Sequence, residues 1–404
     1  MAKAIEEKKI AYLKSSNFLR LWSERECEVC EVEGVGLSMA RAAPPLLHAR
    51  PVEAVPERAV KEVSVPKKKV PEDPYLNVFN AILKTADAVV DFSDWLKRPP
   101  EKMATIAVQK TEALLATPPS RKVPPFDIQD VPKAMRKLHM PMAAKLQERW
   151  FAGQENYSQS PGLLQNEIDQ NGLRYSLAMV DTTTVKMDWV LSFARAKRVF
   201  DKLISDDLQS PGAIDTLRRQ LTPYKNRREV LGWNVAQSDF LEYHQRFQFQ
   251  RAAVNATWGQ RISEYLVRTE TAGGVPDDLT GALGSFNFYA AVRYAYFDHP
   301  KRHAVVTDVS VYVRDPYEFS DDQYLGHWSA SHVAVVPAHQ LAAGSGWLAY
   351  PVVDGSIHEK DNVLYPVTNG DYRSWRQKHG RGGDFMIYTD RISVRLARPI
   401  RIAM

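Results

Sequence analysis

The sequence predicts an α+β fold: a helical middle region followed by a C-terminal antiparallel β-sheet or partial β-barrel. Three observations carry this. Fifteen of the 25 prolines fall in 44–141, so a compact domain is expected to begin only after them. Apolar residues then recur at helical spacing through 187–221. Beyond residue 285 they alternate with polar ones at a period of two, as half-buried strands require.

Length and composition agree with a folded chain of more than one part. The 404 residues are 44% hydrophobic and 25% charged, which excludes whole-chain disorder and a collagen-like chain. A formal net charge of +5 over this length does not by itself imply nucleic acid as the main partner. No apolar run is long enough to span a membrane. Met1 is followed by a charged Glu6-Glu7-Lys8-Lys9 run without an apolar core, so no cleavable signal peptide is expected.

Along the chain, 1–25 reads as a short amphipathic helix with Ile10, Leu13, Phe18 and Leu21 on one face. Cys27 and Cys30 are the two cysteines, so a four-thiolate zinc site is excluded. The glutamates around them would raise a thiol pKa, which favours two reduced thiols in a polar strand or turn. Residues 41–75 read as linker, and 75–96 as a helix bracketed by Pro74 and Pro99. The domain reading is therefore 1–40, an N-terminal helix and docking segment; 41–142, a Pro-rich linker with short helices; 143–270, mainly helical; and 271–404, β-rich and bearing the active part.

Within the helical part, Val190, Phe193, Phe200 and Ile204 mark one helix over 187–204, and Ile214, Leu217 and Leu221 a second that stops before Pro223. Residues 243–249 fit either a helix or a strand, and the aromatic alternation of Tyr243, Phe247 and Phe249 favours a strand. Strands follow at 286–294, 309–313, 385–388 and 392–396, joined by loops carrying Gly344-Ser345-Gly346, Asp354-Gly355 and Asn369-Gly370-Asp371.

Seven of the ten histidines lie in 299–379, beside Asp308, Asp315, Glu318, Asp321 and Asp322. Imidazole with carboxylate supplies acid/base pairs and hard or borderline metal ligands, although the spacing matches no metal motif. A strand should end at Asp315-Pro316, placing Asp315, Tyr317 and Glu318 on the rim of a sheet. An Asp-Pro turn with Tyr317 packed beneath it explains the same residues structurally. Arg373, Arg376, Lys378 and Arg381 gather near Gly380, Gly382 and Gly383, which suits either an anion-binding cleft or structural ion pairs.

The stretch 146–390 resembles an uncharacterised proteobacterial family whose members occur near type VI secretion and polymorphic-toxin genes. The residues that carry the resemblance are Tyr175-Ser176-Leu177-Ala178, 187–193, 281–286, Tyr324-Leu325-Gly326-His327-Trp328 and 379–385. Asp315-Pro316-Tyr317-Glu318 also looks like the Asp-x-Tyr-Asp motif of the colicin M-like bacteriocins, which cleave a lipid-linked peptidoglycan precursor with a divalent metal. Glu318 stands where that motif has aspartate, and no His-Arg pair follows.

What these resemblances imply is an interbacterial toxin or effector carrying out metal-assisted phosphoester hydrolysis on an envelope precursor. Asp315, Tyr317, Glu318, His327 and His379 would be the catalytic set, Arg373, Arg376 and Arg381 would hold substrate, and a divalent metal such as Mg would be the cofactor. They further imply a secretion spike or adaptor bound through the N-terminal region, an immunity protein, no specific nucleic acid, and passage from the producing cytoplasm into a target cell. The other class left open is a non-enzymatic adaptor or structural cargo protein of the secretion machinery.

Overall fold

The computed structural model describes residues 8–10, 13–15, 22–24, 28–32, 37–47, 58–61, 121–123, 126–156, 179–254, 276–300, 302–320, 323–331, 333–334, 357–359 and 362–404. The fold is α+β. Its strands include β1 (Leu37–Ser38), β2 (Arg58–Lys61), β3 (Phe126–Asp127), β4 (Val180–Asp181), β5 (Glu229–Leu231), β6 (Gln248–Val254), β7 (Phe286–Asp298), β8 (His303–Tyr317), β9 (Tyr324–Trp328), β10 (Asn362–Thr368), β11 (Phe385–Tyr388) and β12 (Ile392–Ala403). Its helices include α1 (Val131–Lys137), α2 (Pro141–Ala152), α3 (Met187–Leu191), α4 (Ala194–Ser205), α5 (Pro211–Leu221), α6 (Phe240–Phe247), α7 (Asp278–Leu283) and α8 (Asn369–His379).

The long hairpin β7–β8 organises everything else. β7 pairs with β6 along its first half and with β5 along its second, while β8 pairs with β12 near its start and β11 near its end, all antiparallel. Two short parallel additions, β4 on β11 and β2 on β12, complete the sheet. A second sheet joins β9 and β10 with the short strands Val333–Ala334 and Ile357–Glu359.

Both faces of the hairpin are buried, which is why β7 reads as a near-continuous apolar run rather than strict alternation. On one face Phe288 meets Phe200 of α4, ring centroids 5.7 Å apart. On the other, Tyr289 and Tyr312 stack at 6.2 Å beneath Tyr243 and His244 of α6. The helical turn at Gly232 comes so close that a Cβ there would lie 2.2 Å from the Val292 carbonyl oxygen. One core cluster runs from Phe126 to Ile402, so the segments expected as a helical and a β-rich part share a single interior.

Several sequence expectations change. In 1–25 the described pieces are strands: Lys8–Ile10 pairs with Glu28–Val32, and Leu13–Ser15 with Trp22–Glu24. Ser15, Ser16 and Asn17, whose side chains compete for backbone groups, are poor helix formers by sequence. Cys30 lies in Glu28–Val32; Cys27 and the helix expected at 75–96 lie outside the described residues. The helix expected over 187–204 is two, α3 and α4, broken at Ser192–Phe193.

Residues 240–247 form helix α6, not a strand. The Asp239 carboxylate accepts the Glu242 amide, and Tyr243 and Phe247, four apart, are buried together; extension begins only at Gln248. The turn expected at 369–371 is the start of α8, closed by reciprocal hydrogen bonds between Thr368 and Asp371.

Candidate functional site

β8 does not stop at Asp315-Pro316. It runs on to Tyr317, with Asp315 opposite Ile387, Pro316 opposite Met386 and Tyr317 opposite Phe385 of β11. The pairing with β7 ends at Arg314, so beyond that point β8 has β11 alone as a neighbour and the missing proline amide interrupts no second ladder. Asp315 and Tyr317 are consequently strand residues and half-buried, with Glu318 just past the strand end. Burial, then the nearby Glu318, holds the Asp315 carboxyl well above the usual carboxylate range.

Around Tyr317 the chain builds an aromatic box. Its ring stacks on Phe385 at 5.1 Å and meets Phe319 edge-on at 5.6 Å, and Phe319 lies flat on Tyr372 of α8 at 3.9 Å. Trp150 of α2 packs edge-on against Phe319, Tyr372 and Phe151 and tilted against Trp375. Inside this box sits one carboxylate, Asp384. Its Oδ1 accepts from the Trp150 indole at 2.5 Å and from the Arg376 guanidinium, while Oδ2 is buried without a hydrogen-bond partner.

Burial pushes the Asp384 carboxyl up to about 6, although Arg376 and the Trp150 indole pull it back down. Tyr317 and Tyr372 are raised above the ordinary phenol value, mainly by burial, with Asp384 adding to the first and Tyr317 to the second. The loop before β11 makes this placement possible. Gly382 takes φ +99 and faces Trp150 so closely that a Cβ would lie 2.6 Å from the indole. The Gly382 amide donates to Gly153 and the Gly383 amide to Trp150, which ties the loop to the end of α2.

The remaining residues picked out by sequence are committed elsewhere in the fold. Arg373 donates to the carbonyls of Phe319 and Ser320 at 3.2 and 2.9 Å, and Arg376 pairs with Asp384. Arg381 donates to the Pro44 carbonyl, and His379 Nε2 sits 3.0 Å from the Met39 carbonyl oxygen. His327 is fully buried in β9, its Nδ1 hydrogen-bonded with the Tyr324 hydroxyl. Thus Asp315, Tyr317, Glu318, Arg373 and Arg376 come together at the β8 end, but His327, His379 and Arg381 serve other contacts.

Two of those contacts fasten an N-terminal strap, 37–47, to the domain. β1 pairs parallel with β3, Ser38 donates to Asp127, Arg41 pairs with Asp130 at 2.7 Å, and the Leu47 amide donates to Ala152. The 41–47 part of the expected linker is therefore anchored. Sequence spacing could not have located the strap's partners, since His379 lies 340 positions from Met39.

Among the described residues no group of three or more histidine, cysteine, aspartate or glutamate side chains is arranged to hold a metal. A shallow depression at the β6–β7 edge, lined by Arg251, Ser285 and Asn287, contains none of the predicted site residues.

A second titratable cluster depends on α6 being a helix, which the aromatic alternation of 243–249 conceals in the sequence. His244 Nδ1 is 3.0 Å from the Tyr312 hydroxyl, and Arg314 Nε donates to the Tyr388 hydroxyl at 3.1 Å on the same face. Burial, helped by Arg314, lowers His244 to about 3, so it stays neutral at physiological pH. Arg391, 1% exposed, spreads over Trp233 at 3.4 Å nearby.

No helix among the described residues is long and apolar enough to cross a membrane. Compared with known proteins, residues 126–404 match the model of a family described as "Family of unknown function (DUF6402)". No curated protein and no solved structure matches the chain.

Proposed function

The chain belongs to the DUF6402 family, and from that premise we propose that it is a non-enzymatic cargo or adaptor of a specialised secretion system rather than a metal-assisted hydrolase built on Asp315. The observation that carries this reading is the commitment of the anion-binding and proton-transferring candidates. Arg373, Arg376, Arg381 and His379 each hold a carbonyl or carboxylate of this chain, as fold-stabilising groups do. The N-terminal region is the part that engages a secretion spike, and the strap fixes its base to the folded domain. Delivery would carry the chain from the producing cytoplasm into a recipient.

A second reading has one observation in its favour. Asp384 keeps a buried oxygen without a partner and a carboxyl displaced toward neutrality beside Tyr317, which is the profile of an acid/base group. On that reading the chain is a toxin, and an immunity protein would accompany it.

Growth of a susceptible bacterium separates the two. The chain is produced in the cytoplasm or, with an added signal peptide, in the periplasm, as wild type, Asp315→Ala and Asp384→Asn. The cargo reading expects normal growth in both compartments with soluble protein present. Toxicity abolished by Asp384→Asn in a folded variant would replace it with the acid/base reading, and toxicity abolished by Asp315→Ala would restore the hydrolase.

A further inference from the structure

The last turn of α5 and the turn after it carry Arg218, Arg219, Lys225, Arg227 and Arg228, with no acidic residue among positions 218–228. The fold places this run at the hairpin end of the main sheet. The Phe297 amide of β7 donates to the Arg228 carbonyl, and Arg218 Nε reaches the Ala403 carbonyl at 3.4 Å. Ala403 is the register partner of His303 at the start of β8, and the Met404 amide donates to the Arg302 carbonyl. Arg302 and Arg401 thereby join the α5 group, and every one of these cations is exposed.

Their neighbours do not neutralise them. Asp215 is taken by Arg218 at 2.6 Å, Glu229 receives the Tyr294 hydroxyl at 2.8 Å, and Asp298 is half-buried opposite His303. Lys225, Arg227, Arg228, Arg302 and Arg401 form no ion pair with a carboxylate among the described residues. Arg227 lies over the Tyr224 ring at 5.4 Å, and the Tyr224 hydroxyl accepts from Arg246 at 2.7 Å, so the aromatic at the centre is fixed in place.

We propose that this end of the sheet binds the phosphate backbone of nucleic acid without reading its sequence. Four of the five unpaired cations are arginines, whose planar forks suit bidentate phosphate contacts. Among the described residues the helix beside these cations, α5, buries Ala213, Leu217 and Leu221 in the core, so it is not free to enter a groove and read bases. A lipid surface is the weaker fit. Leu231, on β5, is the one exposed large apolar side chain in this part of the described chain, far short of the apolar face that interfacial binding uses.

The test is fluorescence anisotropy of a labelled DNA duplex of arbitrary sequence with the full chain over a salt series. With five cations engaged, the slope of log K against log salt is about −4.5, and affinity is micromolar or weaker at physiological salt. The double variant Arg227→Glu/Arg228→Glu should weaken binding at least about tenfold and reduce the slope by about 2. Lys197→Glu, on α4 and paired with Asp201, should leave both unchanged. All three proteins should show the same circular dichroism and melting behaviour, since the altered side chains are exposed. No binding at about 50 mM salt, or binding that the double variant leaves intact, overturns the proposal. Binding to phosphatidylserine vesicles but not to duplex, lost in the same variant, overturns it in favour of a membrane.

Discussion

Replacing Asp384 with asparagine probes the centre of the aromatic box with a change of charge and almost none of shape. The amide oxygen can still accept from Trp150 and Arg376, so the variant imitates the protonated carboxyl. In the folded protein that carboxyl titrates at about 6, against 3.8 for an unburied aspartate. The folded state therefore holds the proton more tightly than the unfolded one. The stability this contributes is fully present below pH 3.8, declines as pH rises, and is gone above about 6. At about 1.4 kcal/mol for each tenfold change in proton affinity, the total change from well below pH 3.8 to well above pH 6 is about 3 kcal/mol. Urea unfolding of both proteins from pH 4 to pH 8 reads it directly, because every other carboxyl titrates in both and cancels. Between pH 4 and pH 8 the wild type should lose about 2.4 kcal/mol relative to Asp384→Asn, the rest having gone below pH 4. A wild-type-minus-variant difference that stays flat with pH would refute the reasoning and mean that Arg376 keeps Asp384 ionised throughout.

Three other substitutions test the same junction and its supports. Gly382→Ala forces a side chain into a backbone with φ +99 and a contact of 2.6 Å with Trp150, and should lower stability by at least about 2 kcal/mol; a thermal melt within 1 °C of wild type would contradict that geometry. Asp278→Ala removes the carboxylate that accepts the Met142 and Ala143 amides at the start of α2, and should cost about 1 kcal/mol by chemical denaturation, with an unchanged midpoint counting against the cap. Arg381→Ala removes the donor to Pro44, so hydrogen exchange at the strap's Leu47 amide should accelerate while the β7–β8 amides keep their protection. Equal exchange at Leu47 in both proteins would show that Arg381 does not hold the strap.

The β7–β8 hairpin was legible in the sequence because the apolar positions of 286–294 and 309–313 alternate, and a strand period is a local property. The helices around 187–221 were legible for the same reason. At 243–249 the two periods coincide, and the deciding signal was the cap residue Asp239 just outside the window. The Thr368 and Asp371 pair that starts α8 was also written in the sequence, but the neighbouring glycines drew the reading toward a turn. The site was less legible than the fold. Asp384 lay inside the arginine- and glycine-rich stretch that attracted notice, yet its depth depends on Trp150, 234 positions away, and no spacing rule reaches so far. The exposed basic run of 218–228 was there to be read, whereas its meeting with Arg302 and Arg401 required the sheet.

The strap also sets how the molecule carries tension. If the chain is pulled at Leu37, the force is borne first by the short β1–β3 pair and the contacts of Ser38, Arg41, Met39 and Pro44. Once those yield, the next described pairing along the chain is β2 on β12, so the load then reaches the main sheet at one short parallel pair. The strap thus works as a mechanical fuse: it gives way at low load and shields the β7–β8 hairpin, whose many ladder bonds would have to shear together.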